Sequence, residues 1–360
     1  MTKRALITGV TGQDGAYMAK FLIDKGYEVY GTYRRLSTPN FWRLQYLGVF
    51  EKIYLIPIDL SDTSSIIEAL KISEPDEVYH FAAQSFVQAS FETPVATGDV
   101  TGLSVTRFLE AIRHTCPDTR FYFAGTSEMF GWSGWVKDKG TNNYRCIRCD
   151  ESTPFQPMSP YAAAKLYGFW ITKIYRNAYN IFAVNGILFN HESPLRGLEF
   201  VTRKISNEVA KIALGISKEL RLGNLEARRD WGYAPDYIEA VWKMMQQNEP
   251  DDYVIATGES HSVKEFVEKA FEIVGLDWHD YVKIDKRFFR PLDVPCLTGD
   301  YSKAERKLGW KPKVGFDELV KIMVKEDLRR WERFLNGERF PWDAYNYPTE
   351  TNIITRSLRM

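Results

Sequence analysis

Along the first 190 residues, short apolar runs rich in β-branched and aromatic side chains alternate with stretches whose apolar positions recur at helical spacing. Runs of the first kind are what strands buried on both faces look like, and stretches of the second kind are amphipathic helices. Their regular alternation predicts parallel βαβ units. Strands are expected over 4–8, 28–33, 52–58, 77–81, 120–124 and 182–188, with helices near 13–25, 62–74, 95–114 and 160–178. Past Phe189 the rhythm becomes irregular, with helices expected near 200–215, 235–247, 262–275 and 315–335. The fold class this predicts is α/β: a doubly wound parallel sheet with a smaller C-terminal α/β region. Residues 1–190 would form mainly the first unit and 191–335 mainly the second, with some interleaving. Residues 336–360, which carry proline and aromatics without periodicity, would be a tail or arm.

Composition narrows the partners. A chain of 360 residues with 44% hydrophobic content can bury a proper core. Lysine plus arginine equal aspartate plus glutamate at 47 each, so no net field draws the protein to nucleic acid or an anionic membrane, and a small-molecule substrate is expected. The N-terminal apolar run Ala5-Leu6-Ile7 is too short for a secretory signal, and no apolar run is long enough for a membrane span. A cytoplasmic location is the expectation. The four cysteines are too few for a disulfide scaffold, and Cys116 and Cys296 read as ordinary thiols. Cys146-x-x-Cys149 reads as two surface thiols or a labile bridge, because a zinc site needs two more ligands and no partner pair lies nearby. No metal is expected.

The first strand runs into Thr8-Gly9-Val10-Thr11-Gly12-Gln13-Asp14-Gly15 and then a helix. Glycines at this spacing permit a sharp turn and a close backbone approach to a pyrophosphate set on the helix N-terminus. This is the turn of a Rossmann-type dinucleotide site. After the second strand come Arg34 and Arg35, where an NAD site has an acid, so the cofactor expected is NADP. Asp59-Leu60, after the third strand, stands where adenine would be met, although a turn-capping aspartate looks the same.

A second constellation suggests chemistry. The fifth strand leads into Gly125-Thr126-Ser127-Glu128, and Tyr161-x-x-x-Lys165 follows on a helix, where residues four apart share a face. Lys165 can then stabilise a Tyr161 phenolate that takes a hydroxyl proton while hydride leaves the same carbon, with Thr126 donating to the phenol or the substrate oxygen. Glu128 adds a base that a plain alcohol dehydrogenase does not need. Once a sugar C4 is a ketone, a carboxylate can remove the acidic C5 proton and the 6-hydroxyl can leave.

These motifs together resemble the extended short-chain dehydrogenase/reductases. The longer strings Leu6–Gly15, Gly186–Pro194, Phe200–Ile205, Leu222–Asn224, Arg229–Gly232 and Lys307–Pro312 resemble the GDP-mannose 4,6-dehydratases, over roughly 3–332. The resemblance implies acid–base roles for Tyr161 and Glu128, support from Thr126, and cofactor contacts from Gly9 to Gly15, Phe81, Ala83, Ser85, Lys165, His191 and Arg196. It further implies substrate contacts from Ser85, Asn190, Lys204, Arg229 and Arg290, and a homodimer or homotetramer in which Arg34, Arg35 and Arg43 reach a neighbour's cofactor. Alternatives are dehydration of a related GDP-sugar such as a GDP-manno-heptose, an epimerase or reductase, and a non-catalytic NADP-binding regulator. Against the family pattern, Gly125 replaces a serine, Asp293 replaces a glutamate, and the stretch 132–149 is longer than usual. That longer stretch is expected over the sugar pocket or at a subunit interface, because it joins a strand's carboxyl end to the tyrosine helix.

Overall fold

The computed structural model describes residues 2–37, 40–140 and 144–338. The expected tail over 336–360 therefore lies almost wholly outside the described residues. The first half contains β1 (Arg4–Thr8), α1 (Gln13–Asp24), β2 (Glu28–Tyr33), α2 (Trp42–Tyr46), β3 (Tyr54–Pro57), α3 (Thr63–Ser73), β4 (Glu77–His80), α4 (Val87–Glu92), α5 (Pro94–Thr97), α6 (Ser104–Thr115) and β5 (Arg120–Thr126). The middle contains β6 (Trp135–Lys137), β7 (Tyr144–Cys146), β8 (Arg148–Cys149), α7 (Pro160–Tyr179), β9 (Ala183–Leu188) and β10 (Asn190–Glu192). The remainder contains α8 (Val201–Ala213), β11 (Leu220–Leu222), β12 (Arg228–Arg229), β13 (Trp231–Tyr233), α9 (Ala234–Met245), β14 (Asp252–Ile255), β15 (His261–Ser262), α10 (Val263–Val274), β16 (Val282–Ile284), β17 (Thr298–Gly299), α11 (Ser302–Leu308) and α12 (Phe316–Leu335).

Seven parallel strands form one sheet in the order β14-β9-β5-β4-β1-β2-β3. Neighbouring side chains of a strand point to opposite faces, which is why the apolar runs have no polar gaps. Leu6, Phe121 and Phe123 enter one core with Ile66, Phe108 and Ile112. Ala5, Ile7 and Tyr122 enter the other with Met18, Val241 and Met244. Strand order reverses between β1 and β4, and the crevice outside the carboxyl ends at that point is where such sheets bind ligands.

Two features depart from the sequence pattern. Residues 234–255 return to the main sheet, with β14 at its edge and α9 against α1, so the region after residue 190 is split around it. The stretch 95–114 is not one α-helix, since a π-helical segment, Gly98–Leu103, separates α5 from α6. The reason is close packing: a Cβ on Gly102 would lie 3.1 Å from the Ala164 carbonyl oxygen of α7. A separate core of α8, α10 and α12, built on Ile205, Val209, Phe266, Leu319 and Met323, supports the remaining small strands.

Candidate active site

The glycine turn is built as its spacing demands. Gly9 has φ +68° and sits so close to β4's exit that a Cβ would lie 3.0 Å from Ala82 Cα. A Cβ on Gly15 would lie 2.4 Å from the Gly9 carbonyl oxygen, so the turn can carry only bare backbone there. Gly12 caps α1, whose free N–H groups face the cavity, as a phosphate requires.

The catalytic helix is held by two more close approaches. Ser159 caps α7 by accepting from Ala162 N at 3.1 Å, with Pro160 in the first turn, so Tyr161 emerges at the helix start. Gly168 leaves no room for a Cβ against the Phe123 ring, at 2.6 Å, and so lets α7 lie on β5. Tyr161 is thereby brought close to Thr126, whose hydroxyl lowers the phenol against its burial. The Thr126 oxygen also accepts from Glu128 N at 3.3 Å, leaving its proton for the phenol or a substrate oxygen. Gly125, the departure before this threonine, fits a tight spot: a Cβ there would stand 2.8 Å from the Gly186 carbonyl oxygen.

One cavity of about 2060 Å³ collects these groups. Pockets for a single small ligand are typically roughly 300–1,000 Å³, so this one has room for two ligands end to end. At one end lie Gly9, Thr11, Gly12, Gln13, Asp14, Gly15, Arg34, Arg35, Asp59, Leu60, Phe81, Ala83 and Ser85. In the middle are Thr126, Glu128, Tyr161, Lys165, Asn190, His191 and Arg196, and at the far end Lys204, Arg229, Arg290 and Asp293. All the expected site residues line this cavity except Arg43. Its guanidinium turns to its own chain, donating to Leu195 O at 2.7 Å and to Thr11 O at 3.1 Å, and so braces the glycine turn.

Several expected side-chain roles change on inspection. Lys165 does not pair with the phenol: its Nζ donates to Ala124 O at 2.6 Å and lies 6.0 Å from the Tyr161 ring centroid. Burial pushes Tyr161 up to about 12 despite the Thr126 hydroxyl, and burial pulls Lys165 down to about 7. The Asp59 carboxylate is spent on its own turn, accepting from Ser61 N and Oγ. The Gln13 side chain is likewise committed, donating to His191 O and accepting from Ser193 Oγ at 2.7 Å, which leaves its backbone N–H for a ligand.

Asp14 and His191 form a pair that the motif did not disclose. His191 Nε2 is 2.9 Å from Asp14 Oδ2, and Nδ1 is 2.8 Å from Phe189 O. Both neighbours are acceptors, so the ring donates from both nitrogens and is an imidazolium. Burial opposes the charge on each partner, yet their mutual attraction raises His191 and holds the Asp14 carboxyl down at about 2.

Where the middle of the cavity meets its far end, two carboxylates share the same pair of arginines. Glu128 Oε1 lies 3.8 Å from Arg229 Nε and 4.0 Å from Arg290 Nη1. Asp293 gathers both arginines, at 3.1 and 3.5 Å, a role visible in sequence only as a departure from the family pattern. Lys204 lies 3.3 Å from the Phe288 ring centroid, and burial pulls it down to about 8. Among the described residues no cluster of three or more His, Cys, Asp or Glu could hold a metal, and no helix is long and apolar enough to cross a membrane.

The cysteines correct the sequence reading. Cys146 is bonded to Cys296, 150 residues away, with Cα atoms 5.5 Å apart, while Cys116 and the buried Cys149 are free. Spacing drew attention to Cys146 and Cys149, but they sit on successive short strands with different partners. None of the described residues over 132–149 lines the cavity, which goes against the first of the two expected placements, over the sugar pocket, and leaves the second, a subunit interface, untouched.

A doubly wound sheet, a phosphate-type glycine turn and a Thr–Tyr–Lys group facing one long cavity define an extended short-chain dehydrogenase/reductase. The solved structure of UDP-glucose 4-epimerase from Thermus thermophilus in complex with NAD superposes with a TM-score of 0.76 at 26% identity, covering 90% of this chain and 98% of that one. A family described as GDP-mannose 4,6 dehydratase matches residues 6–323. GDP-mannose 4,6 dehydratase 1 of Arabidopsis thaliana is 51% identical over 341 residues, spanning 92% of this chain and 91% of that protein. The human GDP-mannose 4,6 dehydratase is 47% identical over 350 residues, spanning 90% of this chain and 91% of that protein. The chain belongs to the GDP-mannose 4,6-dehydratase family, and is an enzyme of the hydro-lyase class.

Proposed function

We propose that the protein converts GDP-mannose to GDP-4-keto-6-deoxymannose by NADP-dependent dehydration. The observation that carries this reading is the Glu128 carboxylate, two residues beyond Thr126 on the same cavity wall as Tyr161 and flanked by Arg229 and Arg290. An epimerase or reductase has no use for that base. When bound, the nicotinamide supplies the redox chemistry, taking hydride from C4 of the sugar and giving it back at C6. The bare turn at Gly9, Gly12 and Gly15 and the first N–H groups of α1 would hold its pyrophosphate, and Arg34 and Arg35 a 2′-phosphate.

Tyr161 takes the proton of the 4-hydroxyl. Burial keeps the phenol protonated at neutral pH, so positive charge is needed beside it; Arg196 already draws it down, and Lys165 on the same helix face is the second cation in reach. Thr126 aligns the phenol. Glu128 then removes the C5 proton and delivers a proton to the departing 6-hydroxyl, which leaves as water. Lys204, Arg229 and Arg290 at the far end suit a nucleoside diphosphate, whose oxygens match guanidinium forks. The described residues of the longer 132–149 stretch line none of the cavity, so they lend no support to a larger sugar such as a heptose. The reading extends to a cytoplasmic homodimer or homotetramer, as the family resemblance implies.

Mass spectrometry of GDP-mannose after incubation with the protein and NADP tests it. Loss of one water with the cofactor left oxidised is expected. An unchanged sugar nucleotide, or reduced cofactor released in step with product, would show the proposal to be wrong.

A further inference from the structure

The 132–149 stretch takes no part in the reaction as derived, yet it is anchored twice to the chain that follows Asp293 of the cavity wall. The first anchor is covalent, from Cys146 at the end of β7 to Cys296. The second is the pairing of β8 with β17, extended where Asp300 N donates to Cys149 O at 2.8 Å. Cys296 belongs to the segment 293–297, and that segment is the cradle of Arg229. Val294 O accepts from Arg229 Nη1 at 2.7 Å, and Asp293 Oδ1 from Nη2 at 3.1 Å. The backbone follows suit: Pro295 O accepts from Arg228 N at 2.9 Å, and Arg228 O from Leu297 N at 3.3 Å.

The two ends of this cradle are held unequally. Beyond it, β17 is pinned by buried Asp230, whose carboxylate accepts from Gly299 N at 3.2 Å and from Thr257 and Gly258. Before it, the chain over 286–292 is open, with Phe289 47% and Leu292 42% exposed. The disulfide therefore joins the buried segment on the side that faces the open chain, with Val294 and Leu297 in the core on either side of Cys296.

We propose that the Cys146–Cys296 bridge is a positioning device for the substrate diphosphate, fixing segment 293–297 so that Arg229 and Arg290 keep their spacing beside Glu128. The inference rests on the proposed function for the identity of the diphosphate. A small dithiol breaks the S–S bond, donating two electrons and two protons to make two thiols while becoming a cyclic disulfide itself. Segment 293–297 then keeps its hydrogen bonds and the burial of Val294 and Leu297 but loses its covalent tie, and the arginines it cradles sample more positions before substrate arrives. That cost falls on binding, not on the proton transfers once the sugar is seated. Cys149 does not scramble the pair, because burial pushes its thiol up to about 12 and only a thiolate attacks a disulfide.

The test compares the full-length NADP-loaded protein before and after dithiothreitol, alongside Cys146→Ser, Cys296→Ala and, as a control away from the site, Cys116→Ser. Reduction is expected to raise KM for GDP-mannose, and the Kd of GDP in calorimetry, by about fivefold, with kcat held within about twofold. Amide hydrogen exchange over 294–297 should quicken on reduction. Cys146→Ser should show the reduced values in either condition, and Cys116→Ser should follow the wild type. Alkylation of all four cysteines without reductant would overturn the proposal, as would a KM, a GDP affinity and an exchange rate that ignore the redox state. Absence of turnover in both states would sink the proposed reaction, leaving GDP affinity and exchange to judge the bridge by themselves.

Discussion

Replacing Asp14 by asparagine keeps the shape and the acceptor for His191 but removes one charge, so it isolates the electrostatic share of a pair inside the phosphate-binding turn. The gross attraction across 2.9 Å at an effective dielectric near 20 is roughly 6 kcal/mol. Burial of both groups offsets most of it. The net is read from the carboxyl, which falls from 3.8 to about 2, a gain of roughly 2 kcal/mol that also carries the Gln13 hydrogen bond and the nearby Arg196 charge. The net figure is the better guide to what the variant loses. The sign follows from linkage. A depressed carboxyl stabilises above its unfolded value and loses that contribution as pH falls from 3.8 toward about 2. His191, being raised, stabilises below 6.5 and loses its share as pH climbs through its higher folded value. The pair is therefore worth most between those limits. Chemical denaturation near pH 5 should find Asp14→Asn less stable by roughly 2 kcal/mol, and the gap should close toward pH 2. Cofactor affinity should also fall with rising pH, and that fall should begin at lower pH in the variant. A stability gap that is the same at both pH values, or a cofactor profile unmoved by the substitution, would refute the reasoning.

Two further outcomes follow from the site. Glu128→Gln should cut dehydration by about 10²–10⁴-fold, and in deuterated water the sugar should take up no solvent deuterium at C5, as proton NMR would record; normal turnover would mean that another base does the work. Arg34→Ala with Arg35→Ala should weaken NADP binding about tenfold or more while leaving NAD binding nearly unchanged, measured by calorimetry, since only the 2′-phosphate needs those charges. Equal losses for both cofactors would remove the arginines from that role.

Much of this protein is local and periodic, and that part is legible in the chain. β1 and β2 fall where the sequence expects them, because their interiors are the apolar runs that a strand buried on both faces needs. The glycine turn and the Tyr161–Lys165 spacing are likewise local geometry, fixed by backbone sterics and the helical period. β14 escaped detection: its four residues, Asp252–Ile255, give no periodic signal, and only the open edge of β9 makes them a strand. Lys165 lies on the Tyr161 face as the helical spacing expects, while the acceptor its buried ammonium finds, the Ala124 carbonyl, is announced by no spacing. The sequence by itself determined which groups the cavity gathers and which elements hold them. The tertiary structure alone decided the partners brought from afar: Asp14 with His191, Asp293 with Arg229, and Cys146 with Cys296. Such pairs depend on how layers stack in space, and no periodicity along a chain encodes that distance.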